Sequence, residues 1–287
     1  MIEKIKSAYK FISGRYQTIH LEYKTDVRPR YGYGKPPHPM LYDTINSNRQ
    51  LYGDLLREIL TLKDLVLQID VVDEANREQP IPHWNNGFLP GLDILGIIGM
   101  FHHYKPQRYV EVGSGNSTKV ARWAANQLGL KVEITSIDPF PRADITDISD
   151  VVIRKPLEDV DMTQILKGLS PNDILFIDNS HRSLPNSDVT VTFLDVFPNV
   201  PKGVVIHIHD IYLPYDYPQF MCDRFYNEQY LLAVLLMGNR EQYSTILPNF
   251  FISEDPELSL ILNEIWNQDK MKDVERHGGS FWLQKNK

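Results

Sequence analysis

The sequence predicts an α/β protein built on a mostly parallel sheet with helices on both faces. Three observations carry that reading. Short continuous apolar runs recur at Arg108–Gly113, Val132–Asp138, Val151–Arg154, Ile174–Asp178 and Val204–His209. Helix-like segments fall between most of them, at Ser117–Leu128, Met162–Leu169 and Ser187–Val196. The first run ends in Gly113-Ser114-Gly115, two glycines one residue apart, just before a helix start at Asn116. Unbroken apolar runs, rather than alternating ones, mark strands whose two faces are both covered.

The first ~100 residues read differently from the rest. Arg28–Met40 is a loop of Pro, Gly and Tyr, and Leu41–Ile69 has helical apolar spacing through Leu55, Ile59, Leu62 and Leu65. A second loop, Pro80–Gly91, contains Trp84-Asn85-Asn86-Gly87, and Leu92–Tyr104 is expected to be a helix packed on the sheet. Residues 1–104 are therefore expected to form an extension of helices and lid-like loops on a core of residues 105–287. Beyond the five runs, Tyr243–Leu247 and Ser280–Gln284 are further strand candidates, with a helix-like stretch at Pro256–Asn267 between them.

Composition narrows the function classes. The chain has 287 residues, 42% of them hydrophobic and 23% charged, the balance of an ordinary globular protein. A formal charge of −7 argues against a nucleic-acid partner gripped through its phosphates. Cys222 stands alone, which excludes an internal disulfide and fits a reducing, cytoplasmic setting. The longest apolar stretch, Ile94–Phe101, is too short to span a bilayer, so no membrane partner is expected. The extension offers a surface through which copies of the chain could associate.

The glycine turn is shaped for a nucleotide-like ligand, because glycine admits close backbone approach and the next helix turns its free N–H groups toward the ligand. A plain structural turn is the alternative. A dinucleotide site would prefer a third glycine where Thr118 stands, and a phosphate loop would need a Gly-Lys-Ser/Thr ending that is absent. Glu111, two residues before the first glycine, suits a ligand with a positively charged amino-acid end.

In an open parallel sheet the ligands lie at the carboxyl ends of the strands. The second strand ends Ser136-Ile137-Asp138-Pro139, and an acid ~20–25 residues after the glycines suits ribose hydroxyls. The third leads to Lys155-Pro156-Leu157-Glu158, a candidate wall beside an adenine ring. The fourth ends Asp178-Asn179-Ser180-His181 and the fifth His207-Ile208-His209-Asp210. Neighbouring strand ends lie about 5 Å apart, so Asp178, His209 and Asp210 can converge. Two carboxylates and an imidazole suit a divalent cation, and His181 has the chemistry for proton transfer. Either acid could equally cap the element that follows it. His207, inside its strand, reads as a core residue, and His102-His103 as structural.

With Glu111-x-Gly113-x-Gly115, Asp138 and Asp178 in this order, residues from about Arg108 to Gln284 resemble the class I S-adenosylmethionine-dependent methyltransferases. The resemblance implies a Rossmann-like methyltransferase fold with a mostly parallel seven-stranded sheet, its last strand antiparallel. It also implies S-adenosylmethionine as cofactor, held by Glu111, Gly113, Ser114, Gly115, Asn116, Ser117, Asp138, Pro139, Leu157 and Asp178. More narrowly, Asp178–His181, His207–Pro214, Phe225–Leu232, Tyr31–Pro39 and Trp84–Gly87 are similar to bacterial methyltransferases of polysaccharide and secondary-metabolite pathways. A related branch, the macrolide-sugar O-methyltransferases, binds magnesium through an Asp-x-x-His segment and an acidic pair, with the His as base. By that resemblance Asp178 and Asp210 are metal ligands, with His209 in the place of a carboxylate, and His181 is the catalytic base. The ion would be Mg²⁺ or another divalent cation, and the departure at His209 leaves a softer ion, or none, open. The implied reaction is methylation of a small hydroxylated acceptor such as a sugar, with Tyr212–Phe220, Arg224 and Tyr226 walling its pocket. A metal-independent methyltransferase and a non-catalytic cofactor-binding scaffold are the alternatives.

Overall fold

The computed structural model describes residues 9–14, 17–71, 80–141 and 145–287. Its centre is one seven-stranded sheet: β1 (Arg108–Val112), β2 (Glu133–Ile137), β3 (Val151–Ile153), β4 (Ile174–Ile177), β5 (Val205–Ile208), β6 (Tyr243–Pro248) and β7 (Phe281–Lys285). The order across the sheet is β3-β2-β1-β4-β5-β7-β6. All neighbours are parallel except β7, which runs antiparallel to β5 and to β6. This is the Rossmann-like methyltransferase arrangement expected from the sequence.

Burial explains the order. Every residue of β4 and β5 is buried, as their unbroken apolar runs require, whereas β3, at the edge, is three residues long with none buried. His207 is the one polar side chain inside β5. It is fully buried, stacks on Phe176 at 3.6 Å and pairs with Ser280 Oγ at 2.7 Å, as a core histidine should.

The register places the chemistry. Strand order reverses at β1, which pairs with β2 on one side and β4 on the other. Val112 lies opposite Ile137 and Ile177, and Ile177 opposite Ile208. One residue further on, the ladder continues through Gly113 N to Ile137 O (2.9 Å), Asp178 N to Val112 O (2.8 Å) and His209 N to Ile177 O (2.9 Å). Gly113, Asp138, Asp178 and His209 therefore stand side by side along one carboxyl edge, at the point where such sheets bind ligands.

The helix Gly91–Tyr104 is apolar on all sides and buried from Gly91 through Phe101. Such a helix must be enclosed. It packs between Asn116–Gln127, Arg49–Leu60 and Asn249–Glu254. The helical run expected over Leu41–Ile69 is broken into Pro39–Asn46, Arg49–Leu60 and Lys63–Val66. At the first break Asn48 donates its amide to Thr245 O instead of continuing the helix. The stretch Ser187–Val196 begins as an α-helix at Asp188–Val191 and widens into a π-turn at Thr192–Val196, just before Pro198. Pro256–Asn267 forms two short turns, Leu258–Leu260 and Asn263–Trp266. Among the described residues, three helices beyond the expected set, Gln219–Cys222, Glu228–Gly238 and Asn249–Glu254, lie in the second half. Among the described residues no helix is long and apolar enough to cross a membrane.

Candidate active site

The turn after β1 is held from below. Glu111 is fully buried and accepts hydrogen bonds from Ser117 Oγ (3.1 Å), Ser136 Oγ (2.7 Å), Tyr109 OH (3.3 Å) and, shortest of all, Thr118 Oγ1. Thr118 Oγ1 also accepts from Gly115 N at 3.0 Å. The residue that replaces a third glycine is thus the pin of the turn. Burial pushes the Glu111 carboxyl up to about 7, against the pull of those four donors. Glu111 and Ser117, expected to touch the cofactor, are buried here and brace the turn. Leu157 is likewise in the core at 3% exposure, whereas Pro139 is exposed.

Above the turn the geometry suits S-adenosylmethionine. Gly113 has φ +79°, and a Cβ on it would lie 1.9 Å from the Asp178 carbonyl oxygen, so no other residue fits there. At Gly115 an added Cβ meets nothing within 4 Å: the space over the turn is open to a ligand's backbone-like end. Asp138, half-buried, accepts from Ser114 N at 2.9 Å through Oδ2 and from Phe140 N at 2.7 Å through Oδ1. A carboxylate has about four lone-pair sites, so both oxygens retain capacity for ribose hydroxyls. Asn116 Nδ2 reaches Asn86 Oδ1 at 3.2 Å, which ties the Trp84–Gly87 loop to the helix start.

The second half of the site joins two carboxylate–imidazole pairs. His181 Nδ1 pairs with Glu228 Oε2 at 3.1 Å, and Glu228 Oε1 accepts from Asn179 Nδ2 at 2.9 Å. His209 Nε2 pairs with Asp93 Oδ2 at 3.1 Å. Asp93 and Glu228 are both fully buried. The free nitrogens of the two rings then meet the same two acids. His181 Nε2 is 3.4 Å from Asp178 Oδ1 and 3.3 Å from Asp210 Oδ2, and His209 Nδ1 is 3.8 and 3.6 Å from Asp178 Oδ1 and Asp210 Oδ1. Asp178 and Asp210 are the more open members, with side chains 35% and 20% exposed.

His181 (φ +61°) and Asp210 (φ +55°) are both left-handed without being glycine. Asn179 Oδ1 accepts from His181 N at 3.0 Å, and Gly279 O accepts from Ile211 N at 2.8 Å, so neighbours hold both kinks. Local strain of this kind gathers where side chains must be aimed.

Electrostatics follow the pairing. Burial works to discharge His181. The hydrogen bonds to Asp178 and Glu228, with the charges of Glu228 and Asp210, outweigh it and hold the ring well above the ordinary histidine range. The same contest raises His209 to about 9. Burial drives Asp93 up, but the bond and charge of His209, then Asn249 and Gly279 N, bring it below the usual carboxylate range. Burial alone pushes His207 well below its ordinary value, and the His209 charge adds to that.

The expected metal centre of Asp178, His209 and Asp210 does not fit a cation in this arrangement. Among the described residues no three His, Cys, Asp or Glu side chains are placed to hold one. His209 Nε2 is engaged by Asp93 at 3.1 Å, while its Nδ1 lies 3.8 and 3.6 Å from Asp178 and Asp210, beyond hydrogen-bond reach.

Asp93 and Glu228 were not legible as site residues. The signal for Asp93 was a single acid within the apolar run Leu92–Phe101. Glu228 opens the helix Glu228–Gly238, which the sequence reading did not expect. Tyr226 tilts over His181 at 4.7 Å, with the guanidinium carbons of Arg182 and Arg224 at 5.0 and 4.6 Å from its ring centroid. Tyr212 and Tyr217, expected to wall the acceptor pocket, are buried in a small cluster with Met221, Cys222 and Tyr226.

Residues 110–211 match the family model for a methyltransferase domain. An uncharacterized protein of Archaeoglobus fulgidus is 27% identical over 183 residues, covering 57% of this chain and 81% of its own. Among solved structures, the MycE methyltransferase of the mycinamycin biosynthetic pathway, in complex with Mg and SAH, is 15% identical with a TM-score of 0.39. That match covers 66% of this chain and 48% of MycE, so the chain spans about half the length of that enzyme. The SAH-bound plantazolicin methyltransferase BpumL is 16% identical with a TM-score of 0.43, covering 86% and 100%. The SAH-bound Podospora anserina methyltransferase PaMTH1 is 14% identical with a TM-score of 0.40, covering 82% and 88%. The sheet order is that of the Rossmann-like methyltransferase fold, and the match over residues 110–211, from β1 through the end of β5, is to a methyltransferase domain.

Proposed function

We propose that this chain methylates a hydroxyl oxygen of a small acceptor, with His181 as the base. The observation that supports this most directly is the Glu228–His181 pair. Its outer nitrogen lies near Asp178 at the carboxyl end of β4, the neighbour of the strand that leads into the glycine turn. When bound, S-adenosylmethionine supplies a methyl group already activated by its sulfonium. The protein's share is then to align the acceptor oxygen and to remove its proton, largely a matter of positioning. Gly113–Asn116 and Asp138 would hold the cofactor. Glu228 fixes the His181 ring on Nδ1, so that Nε2 is the atom that takes the hydroxyl proton. Arg182, Arg224 and Tyr226 lie beside that ring and would line the acceptor's approach. The narrower reading, a sugar hydroxyl in polysaccharide or secondary-metabolite synthesis, rests on the sequence resemblance.

The test is His181→Ala, assayed for S-adenosylhomocysteine binding by calorimetry and for methyl transfer against a panel of hydroxylated acceptors. Binding should be unchanged while turnover falls by about 10²–10⁴-fold, the usual share of a general base. Near-normal methylation by the variant would remove His181 from the base role. Tight cofactor binding with no transfer to any acceptor, in the unaltered protein, would favour a scaffold.

A further inference from the structure

We propose that the acceptor is an extended, anionic, hydroxylated molecule, held in a groove that runs from Tyr226 to the Arg28–Pro39 loop. The proposal names the substrate class of the site and rests on the reading of it as one for methyl transfer to oxygen. Two cavities, of about 260 and 310 Å³, have Arg28 and Tyr230 in common and so form one groove. The first is lined by Tyr226, whose ring centroid is 4.7 Å from that of His181. The second ends against Tyr31 and His38. Small-molecule sites take about 300–1,000 Å³, so either cavity alone stands at the lower end and the two together lie well inside the range. Tyr230, Val234 and Met237 recur at helical spacing in the helix Glu228–Gly238, which makes this side of the groove about 10 Å long.

The outer wall is braced. Asp216 is buried, and its Oδ2 accepts from Arg30 N and Tyr31 N while its Oδ1 accepts from Tyr230 OH at 3.0 Å. Tyr33 OH donates to Asp216 O at 3.1 Å, and His38 N to Pro214 O at 2.9 Å. These bonds tie the Pro, Gly and Tyr loop to Tyr212–Pro218, the segment that follows Asp210. A wall formed in advance gives up little ordering entropy when a ligand arrives.

Charge selects the occupant. The chain carries −7 overall, yet Arg28 and Arg30 line the groove and Arg182 and Arg224 flank Tyr226 at its start. Arg28 pairs with Asp26 at 2.9 Å. Among the described residues, Arg30, Arg182 and Arg224 make no ion pair with a carboxylate; their partners are ring faces and backbone carbonyls. Arg30 lies over Tyr31, and Arg224 over Tyr226. Arg182 shares the Tyr226 ring and donates to Arg224 O (2.8 Å) and Ser180 O (3.0 Å). A guanidinium held in this way is aimed without being neutralised, and its remaining N–H groups suit a carboxylate or a phosphate. Asp216, the acid inside the second cavity, is already spent on its three donors. Tyr230 and Phe225, 44% and 50% exposed, add ring surface for the apolar faces of a ligand. Acid groups along a chain of sugar rings and a diphosphate between two rings both supply an anion of this shape.

The test is calorimetry on the full chain loaded with S-adenosylhomocysteine. The probes are galacturonate, trigalacturonate, maltotriose and uridine diphosphate glucose. Trigalacturonate or uridine diphosphate glucose should bind about tenfold or more tighter than both galacturonate and maltotriose. Whichever of the two is favoured identifies the anion as a carboxylate chain or a diphosphate link. Arg30→Met keeps the backbone N–H that Asp216 accepts and should remove most of that advantage. Added salt should weaken the favoured probe and leave maltotriose unmoved, an arm that holds even if Arg30→Met fails to fold. Equal affinity for maltotriose, an advantage untouched by Arg30→Met or by salt, or no binding of either long anion at millimolar concentration overturns the proposal. If the long anion binds as described, yet no methyl group reaches it or any hydroxylated acceptor, the groove stands and the proposed reaction falls. If short neutral acceptors are methylated with no gain from charge or length, the reaction stands and the groove falls.

Discussion

Glu111 shows how a residue legible in the sequence gains a structural setting that the sequence does not display. Its position before the glycines marked the turn, but its carboxyl ends in a cage of hydroxyl groups from Tyr109, Ser117, Thr118 and Ser136. Hydroxyls rotate to suit either protonation state. The folded protein prefers the neutral acid, with a value raised to about 7 by burial. A raised value means the stabilising contribution is complete below the unfolded value near 4.5 and is lost as pH rises through 7. Glu111→Gln should therefore gain on the unaltered protein across that window, by up to on the order of 3 kcal/mol, read from denaturation midpoints at each pH. An unchanged difference would mean the cage holds the charged form. For His181 the sign runs through its partners: Asp178 and Glu228 keep it protonated against burial. The rate should climb with pH on the alkaline side as the base loses its proton, and Glu228→Gln should move that climb to lower pH. A Glu228 of purely structural importance would cut the rate without moving the profile.

At the scale of elements, all seven strands and their order of appearance could be read from the sequence: central strands such as β4 and β5, buried on both faces, leave an uninterrupted apolar signature, and even the unburied edge strand β3 keeps the apolar run Val151–Ile153. The helices were less legible where tertiary partners compete for local groups. Asn48 leaves the helical pattern to bond Thr245 O, and Pro198 denies the stretch before it a backbone donor. The site was half legible for the same reason. Asp178, His181, His209 and Asp210 follow strands and announce themselves by breaking apolar runs. Asp93 and Glu228 belong to helices, where an acid near the first turn has an ordinary explanation. The turn between β1 and the helix Asn116–Gln127 is where an element is least tolerant. Gly113→Ala must place a methyl against the Asp178 carbonyl at a φ that side chains avoid. We expect a loss of about 2–4 kcal/mol by chemical denaturation, with weakened S-adenosylhomocysteine binding, since Asp178 has to move. Gly115→Ala should retain stability and lose binding, because its Cβ meets only the space left for the ligand.

At the scale of the molecule, the helices Pro39–Asn46 and Arg49–Leu60 share the core of the sheet. Ile45, Tyr52, Leu55, Leu56 and Ile59 belong to the same core as Phe251 and Trp282. Arg49 binds Asp255 through both terminal nitrogens and Glu257 through one, with the Asp255 side chain only 6% exposed. Arg49→Met should cost about 1–3 kcal/mol, because it strands a buried acid, and thermal unfolding should remain a single transition with a lower midpoint. Two separable transitions would show that the N-terminal region melts on its own. The Asp93 cage carries the same unity into the chemistry. Its backbone donors, Gly279 and Ser280, are 186 and 187 residues further along the chain. A ribosome makes Asp93 early and Ser280 late. Asp93, which also accepts from Asn249 and His209, therefore lacks two of its four donors until the residues that lead into β7 have been made, so this buried carboxylate is closed in only when the two ends of the described chain have met.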